Sequence, residues 1–278
     1  LPAVWAVLLL GAGLPFFAAG AALPGVCPAS EKKGRNNMEQ LTGAEALLSG
    51  NPYPGRGILL GLSADARHAV MAYFIMGRSE NSRNRIFLET EDGIRTVARD
   101  PSKLQDPSLI IYRPVRANED FTIVTNGDQT DTIQQFLAQG KTFRQALETR
   151  TFEPDAPNYT PRISGLVRRD GSYELSILKA LCGDPACCCR QFFAYDAPLA
   201  GVGHLIHTYV TDGSPLPSFT GEPRAVRIDA PDAAAMADLL WDALDEENRI
   251  SLFVRYWELA TGLERTVLIN GNGHGARV

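Results

Sequence analysis

Apolar residues along this chain recur mainly in short unbroken runs or with a strand period, and helical spacing is confined to a few places. Gly57 to Leu62 and His68 to Met76 are such runs, joined by the polar turn Ser63 to Arg67, and they read as a hairpin of buried strands. Further strands are predicted at Arg85 to Glu89, Gly93 to Ala98, Leu109 to Arg116 and Phe121 to Thr125. After a helical interval they resume at Ile163 to Val167, Tyr173 to Leu178, Gln191 to Tyr195, Gly203 to Thr211 and Ala225 to Ile228, and a hairpin of Ile250 to Glu258 with Glu264 to Ile269 closes the pattern.

Four helices are predicted. Thr42-x-x-Glu45 has the form of a capping box, with Gly50 as the stop. Ile133, Phe136 and Leu137 fall at helical spacing behind Thr130 and Asp131 as caps, and Gly140 ends that helix. Thr142-x-x-Gln145 caps another, running through Leu147. Met236, Leu239, Leu240, Ala243 and Leu244 form one apolar helix face. Helices grouped apart from strands imply an α+β fold in layers, and argue against a doubly wound parallel sheet.

With 278 residues, 45% apolar and 21% charged, the composition is that of a globular chain with ample core. A net charge of −5 argues against a general nucleic-acid binder, so local arginine clusters read as a site. Five cysteines, Cys27, Cys182 and Cys187 to Cys189, make no disulfide framework and suggest a reducing compartment. They lack a paired CxxC pattern and a nearby histidine, so they read as buried or turn residues and no metal site is assigned.

Residues 1–37 open with an uncharged stretch that resembles a signal or membrane segment but lacks a basic start and is interrupted by Pro15 and several glycines. The run Glu31-Lys-Lys-Gly-Arg-Asn-Asn37 before Met38 has the composition of a translated ribosome-binding site. Residues 1–37 are therefore expected to be a non-native upstream extension, with 38–278 as a single domain in a cytoplasmic protein. If the extension belongs to the protein, an exported location follows instead.

The densest chemistry lies in Gly77-Arg78-Ser79-Glu80-Asn81-Ser82-Arg83-Asn84-Arg85, directly after a buried strand. Guanidiniums interleaved with amides and hydroxyls suit a phosphate or carboxylate, although a solvated basic turn has the same composition. Arg56, flanked by Gly55 and Gly57, lies at the other end of the same hairpin, so the two segments are expected to converge on one anion, a phosphorylated ligand. Asn126-Gly127-Asp128-Gln129-Thr130-Asp131, between a strand and a helix start, fits an oxyanion or sugar hydroxyl and equally a turn with its cap. Tyr112 stands in an apolar run as a core or functional phenol. Glu153 in Phe152-Glu-Pro-Asp155, with Arg162 shortly after, reads as a salt bridge or a catalytic carboxylate. No GxSxG, P-loop or GxGxxG is present, and His68, His204, His207 and His274 show neither zinc nor triad spacing. No cofactor is assigned. His204 and His207, three apart in a strand, are expected on opposite faces.

YPGRG, YFIMGRSENSRNR, IVTNGDQTDTI and NYTPRI, in this order and spacing, resemble the archaeal-type inosine monophosphate (IMP) cyclohydrolase family, which also occurs in bacteria. The resemblance is specific from about Asn51 to Ile163 and looser beyond, where Gly183 to Arg190 and Asp212 to Glu222 look like lineage-specific loops. It implies an αββα sandwich like that of the N-terminal-nucleophile hydrolases, without autoprocessing. It also implies closure of 5-formamidoimidazole-4-carboxamide ribonucleotide to IMP with loss of water. Carried over by motif, Arg85, Tyr112 and Glu153 would be catalytic. Arg56, Arg78, Asn84, Asn126, Asp128, Thr130 and Arg162 would grip phosphate, ribose and carboxamide. The partner would be a small purine-precursor ribonucleotide, with no nucleic acid and no membrane; a homo-oligomer stays open. Two alternatives remain: another amidohydrolase on the same fold, or a non-catalytic nucleotide-binding protein.

Overall fold

The computed structural model describes residues 40–104, 107 and 109–271; the expected start at Met38, Cys27 and His274 lie outside them. In chain order the elements are α1 (Ala44–Leu48), β1 (Arg56–Leu62), β2 (His68–Met76), α2 (Glu80–Arg83), β3 (Arg85–Thr90), β4 (Gly93–Ala98), β5 (Val115–Ala117) and β6 (Phe121–Thr125). Then come α3 (Gln129–Ala138), α4 (Phe143–Glu148), β7 (Arg162–Arg168), β8 (Tyr173–Leu181), β9 (Asp184–Tyr195), β10 (Val202–His207), β11 (Arg224–Arg227), α5 (Ala233–Ala243), β12 (Arg249–Glu258) and β13 (Glu264–Asn270). The strands form a six-stranded sheet, β11-β10-β1-β2-β12-β13, and a seven-stranded sheet in sequence order from β3 to β9. Strand pairing in both sheets is antiparallel, consistent with the α+β class.

Three apolar interfaces stack these elements. Ile58, Leu60, Tyr73 and Ile75 of the first sheet meet Phe87, Val124, Ile163 and Leu175 of the second. On the outer face of the first sheet, Leu59, Ala72 and Phe74 pack under Leu48, Met236 and Leu240 from α1 and α5. On the outer face of the second, Ile123 and Leu166 pack under Ile133, Phe143 and Leu147 from α3 and α4. Strands β1 and β2 are thus covered on both faces, which is why their sequence is continuously apolar instead of alternating. No helix among the described residues is long and apolar enough to cross a membrane.

The structure corrects several boundaries. Helix α1 is capped by Gly43 with no side-chain bond, because the Thr42 carbonyl accepts Arg227 N–H at 2.9 Å and keeps the chain extended. Helix α3 starts behind Asp128, so Thr130 and Asp131 lie inside it and are not its caps. Only Val115 and Arg116 of the expected Leu109 to Arg116 strand are in the sheet, as part of β5; Pro114 has no N–H to give, and Thr96 Oγ1 engages Ile110 and Tyr112 of the preceding loop. Gly183 to Arg190 is no loop: the hairpin turns at Cys182 and Gly183, both left-handed (φ 54° and 78°), and nearly all of the segment is in β9. Its cysteines are partly or fully exposed and carry no disulfide. The Arg78 to Arg85 stretch contains the one-turn helix α2, closed by a reciprocal Ser79–Ser82 cap. The Thr142–Gln145 capping box is present, with bonds of 3.1 and 2.9 Å.

Strands β1 and β10 approach closely through paired Gly61 and Gly203, over which the fully buried Ile228 side chain lies. A Cβ on Gly61 would sit 2.5 Å from Gly203 Cα and 2.5 Å from the Val202 carbonyl oxygen, backbone atoms that cannot rotate away. Gly61→Ala is therefore expected to cost about 1–3 kcal/mol by urea unfolding; an unchanged midpoint would mean that the two strands separate freely here.

Candidate functional site

The start of β1 lies beside the end of β2, and the end of β6 beside the start of β7. Side chains from these ends, from the start of β3 and from two loops form one buried charged group, in which Arg56, Arg85, Tyr112, Glu153 and Arg162 are each at most 8% exposed. Arg56 is presented by a left-handed Gly55 packed against Thr208 and Tyr209, and its backbone N–H donates to Thr208 Oγ1 at 3.1 Å. Burial works against the Arg56 charge, but Glu153 and the phenols of Tyr209, Tyr53 and Tyr112 outweigh it and hold its pKa above the ordinary value. Arg85 donates from Nε to Ser82 O (2.8 Å) and from Nη2 to Met76 O (3.4 Å), carbonyls that the α2 turn and the end of β2 supply. Burial and the nearby Arg56 lower its pKa. Two buried N–H groups, Arg56 Nε and Arg85 Nη1, have no hydrogen-bond partner among the described residues.

Glu153 is the buried counter-charge. Its backbone N–H donates to Thr160 O at 2.9 Å, and Asn126 Nδ2 lies 3.5 Å from Oε1. Burial pushes its carboxyl from 4.5 up to about 7, against the pull of Arg56 and Arg162. Arg162 donates to Gln129 Oε1 at 2.7 Å and pairs with Asp128 at 2.8 Å. Partial burial opposes the Asp128 charge, but Arg150 and Arg162 outweigh it and keep that carboxyl below its usual range. Asn126 ties the corner together: its Oδ1 accepts Ile163 N (2.8 Å) and Gln129 Nε2 (3.1 Å), and its Nδ2 donates to Pro161 O (2.9 Å). Thr130 shares a 2.6 Å bond with Thr125, which closes the turn before α3.

Tyr112 sits on the loop before β5, its backbone N–H donating to Thr96 Oγ1 (2.8 Å) and its carbonyl accepting Thr96 N–H (2.9 Å). Its hydroxyl lies 2.9 Å from that of Tyr73.

The expected residues therefore fall into two sets. Arg56, Arg85, Tyr112, Glu153, Asn126 and Arg162 meet, with Asp128 and Thr130 bracing their edge. Arg78 stands apart, half-exposed, bonded to Asp212 and to Gly213 O (3.1 Å), with its guanidinium 5.0 Å from the Tyr53 ring. Asn84 turns away: its amide exchanges bonds of 2.8 and 2.7 Å with the Asp100 backbone. Sequence reasoning missed Tyr53, Tyr73, Tyr209 and Gln129. Tyr73 had one readable signal, a lone hydroxyl in an otherwise apolar strand. His204 and His207 point to opposite faces: His204 meets Tyr173 Oη at 2.6 Å, and His207 Nδ1 donates to Tyr209 O at 2.7 Å.

A cleft of about 500 Å3 between Ser49–Pro52 and Asp242–Glu246 is lined by none of this group, and its Asp242, Asp245 and Glu246 make it a poor seat for an anion. Among the described residues no group of three or more His, Cys, Asp or Glu side chains is placed to hold a metal ion.

The folded chain keeps a proton on Glu153 that the unfolded chain has lost between about pH 4.5 and 7. Burial of this carboxyl therefore makes stability fall as pH rises through that window. Glu153→Gln should remove the fall, a gain of up to about 3 kcal/mol near pH 8 in urea denaturation, with little change near pH 4. Equal pH dependence in the two proteins would place Glu153 at its ordinary value.

Residues 53–261 match the family described as IMP cyclohydrolase-like protein. Proteins named IMP cyclohydrolase are similar over shorter stretches. That of Methanopyrus kandleri is 34% identical over 116 residues, covering 40% of this chain and 57% of the relative. That of Methanothrix thermoacetophila is 32% identical over 119 residues (41% and 57%), and one from Methanococcus maripaludis is 33% identical over 128 residues (44% and 61%). The chain thus spans less than two thirds of the length of each of these relatives. The family match covers well over half of the sequence and takes in every residue of the buried charged group, and the chain belongs to the IMP cyclohydrolase-like family.

Proposed function

We propose that the chain closes 5-formamidoimidazole-4-carboxamide ribonucleotide to IMP and water. The observation that carries this reading is the pair of buried, unpartnered guanidinium N–H groups beside a carboxyl that titrates near neutrality. An unmatched buried donor costs about 1–3 kcal/mol, which an anionic or carbonyl oxygen of a ligand would recover. In this scheme the carboxamide nitrogen bonds to the formyl carbon. Its proton passes to Glu153, and the formyl oxygen, its developing charge held by Arg85, takes a proton from Tyr112. The new hydroxyl then leaves as water with the proton from Glu153, while the ring nitrogen returns a proton to Tyr112. A carboxyl with a pKa near 7 suits both halves of this exchange. Arg56, Arg162 and Asn126 hold the carboxamide edge and ribose, and Arg78, at the mouth, holds the phosphate. Asn84, Asp128 and Thr130 support the segments that carry these groups.

The same proposal includes the fold kinship: the helix–sheet–sheet–helix order supports an arrangement like that of the N-terminal-nucleophile hydrolases without an autoprocessing nucleophile. It also includes a cytoplasmic setting.

The test is incubation of the purified chain with the formylated ribonucleotide, following purine absorbance with and without a strong chelator. Turnover at an unchanged rate in both is expected. Tyr112→Phe should lower kcat about 10²- to 10⁴-fold with the fold retained, whereas Arg78→Ala should mainly raise KM, since a phosphate anchor serves ground and transition states alike. Full turnover by Tyr112→Phe would make Tyr112 a packing residue. Tight binding without turnover would favour a nucleotide-binding protein.

A further inference from the structure

We propose that Tyr73 is a positioning residue for Tyr112: its buried hydroxyl donates to Tyr112 Oη and aims the Tyr112 proton at the reacting oxygen. The inference rests on the ring-closure reading of this site. Tyr73 lies in β2, fully buried, its ring 5.6 Å from Phe87 and nearly parallel to it. Its hydroxyl reaches a single partner among the described residues, the Tyr112 hydroxyl 2.9 Å away. Thr96 pins the Tyr112 backbone from the other side, so the phenol is fixed at both ends by residues that do not react.

With Tyr73 as the donor its buried proton has a partner; with Tyr112 as the donor it would have none among the described residues. Tyr73 is deep in the inter-sheet layer, where burial, and after it the neighbouring Tyr112, push its phenol well above the ordinary range; it keeps its proton and has only Tyr112 to give it to. With Tyr73 donating, the Tyr112 proton is left for a ligand oxygen, and Arg56 and Arg85, whose guanidiniums only donate, are the cations within electrostatic reach that would hold that oxygen. As Tyr112 gives up that proton its oxygen becomes negative. The bond from Tyr73 then becomes charge-assisted and stronger than the bond to the neutral phenol. The gain appears in the transition state and not in substrate binding, so it falls on kcat and not on KM.

The experiment is a double-mutant cycle in the ring-closure assay with Tyr73→Phe, Tyr112→Phe and the pair. Tyr73→Phe removes one oxygen and leaves the stacked ring. It should lower kcat about tenfold at constant KM in the parent chain, and by less than about twofold when Tyr112 is already Phe. Equal losses in both backgrounds, or a loss confined to KM, would mark Tyr73 as structural and overturn the inference while leaving the ring-closure reading intact. Absence of turnover in the parent chain overturns both. Should Tyr73→Phe fail to fold, 3,5-difluorotyrosine at position 73 keeps the hydroxyl and makes it more acidic. It should change kcat at least about twofold with Tyr112 present and leave it unchanged with Tyr112→Phe; the same response in both backgrounds refutes the role.

Discussion

Withdrawing guanidiniums from water at one end of a two-sheet sandwich constrains much of what surrounds them. A buried charge persists only where counter-charge and hydrogen-bond acceptors replace its hydration. Arg85 obtains acceptors because the chain between β2 and β3 curls into a single helical turn that offers Ser82 O, while Met76 O ends the strand before it. Arg162 obtains them from Gln129 and Asp128 at the start of α3. Arg56 relies on Glu153 and on the phenols around it. Glu153 therefore carries much of the charge balance, and its own burial keeps it close to neutrality.

The layers make this arrangement rigid. Strands β1 and β2 are buried on both faces, so the residues at their ends start from backbone that has no room to drift. The segments after β2 that carry the rest of the group are tied by side-chain to backbone bonds: Thr96 to the Tyr112 segment, Asn84 to Asp100, and Asn126 to Pro161 and Ile163. Asn84 and Asn126, which looked like ligand contacts by type, spend their side-chain amides on these ties. Preorganisation of this kind is what the proposed ring closure between two weakly reactive groups would need, since orienting them removes much of the barrier.

The arginines of this region also differ in exposure. Arg56, Arg85 and Arg162 are almost wholly enclosed, whereas Arg78 is half-exposed and rests on Tyr53 and Asp212. Asp212 comes from a segment far along the chain, so an irregular part of the second half pairs with an arginine of the first.

The local code of the sequence was enough for the hairpin of β1 and β2, the Thr142–Gln145 cap, the layered α+β class and the helix α5, though not its whole face, where Leu239 is exposed and Ala233 and Ala237 are buried beside Met236 and Leu240; each depends on periodicity or on contacts within a few residues. It also exposed Arg56 and Arg85 as unusual chemistry, since arginines set at the ends of apolar strands stand out by type alone, whereas Glu153, on a loop, read as a salt bridge or a catalyst and was singled out by the family resemblance. It misread the Leu109 to Arg116 run, whose apolar pattern is overruled by Pro114 and by Thr96. It misread the hairpin tip around Cys182 to Cys189, which projects beyond the core and so carries little hydrophobic signal. Only the tertiary structure could pair Tyr73 with Tyr112, 39 residues apart, or bury Glu153 between arginines from different strands. Those meetings depend on how two sheets stack, and stacking is set by long-range packing that local spacing does not encode.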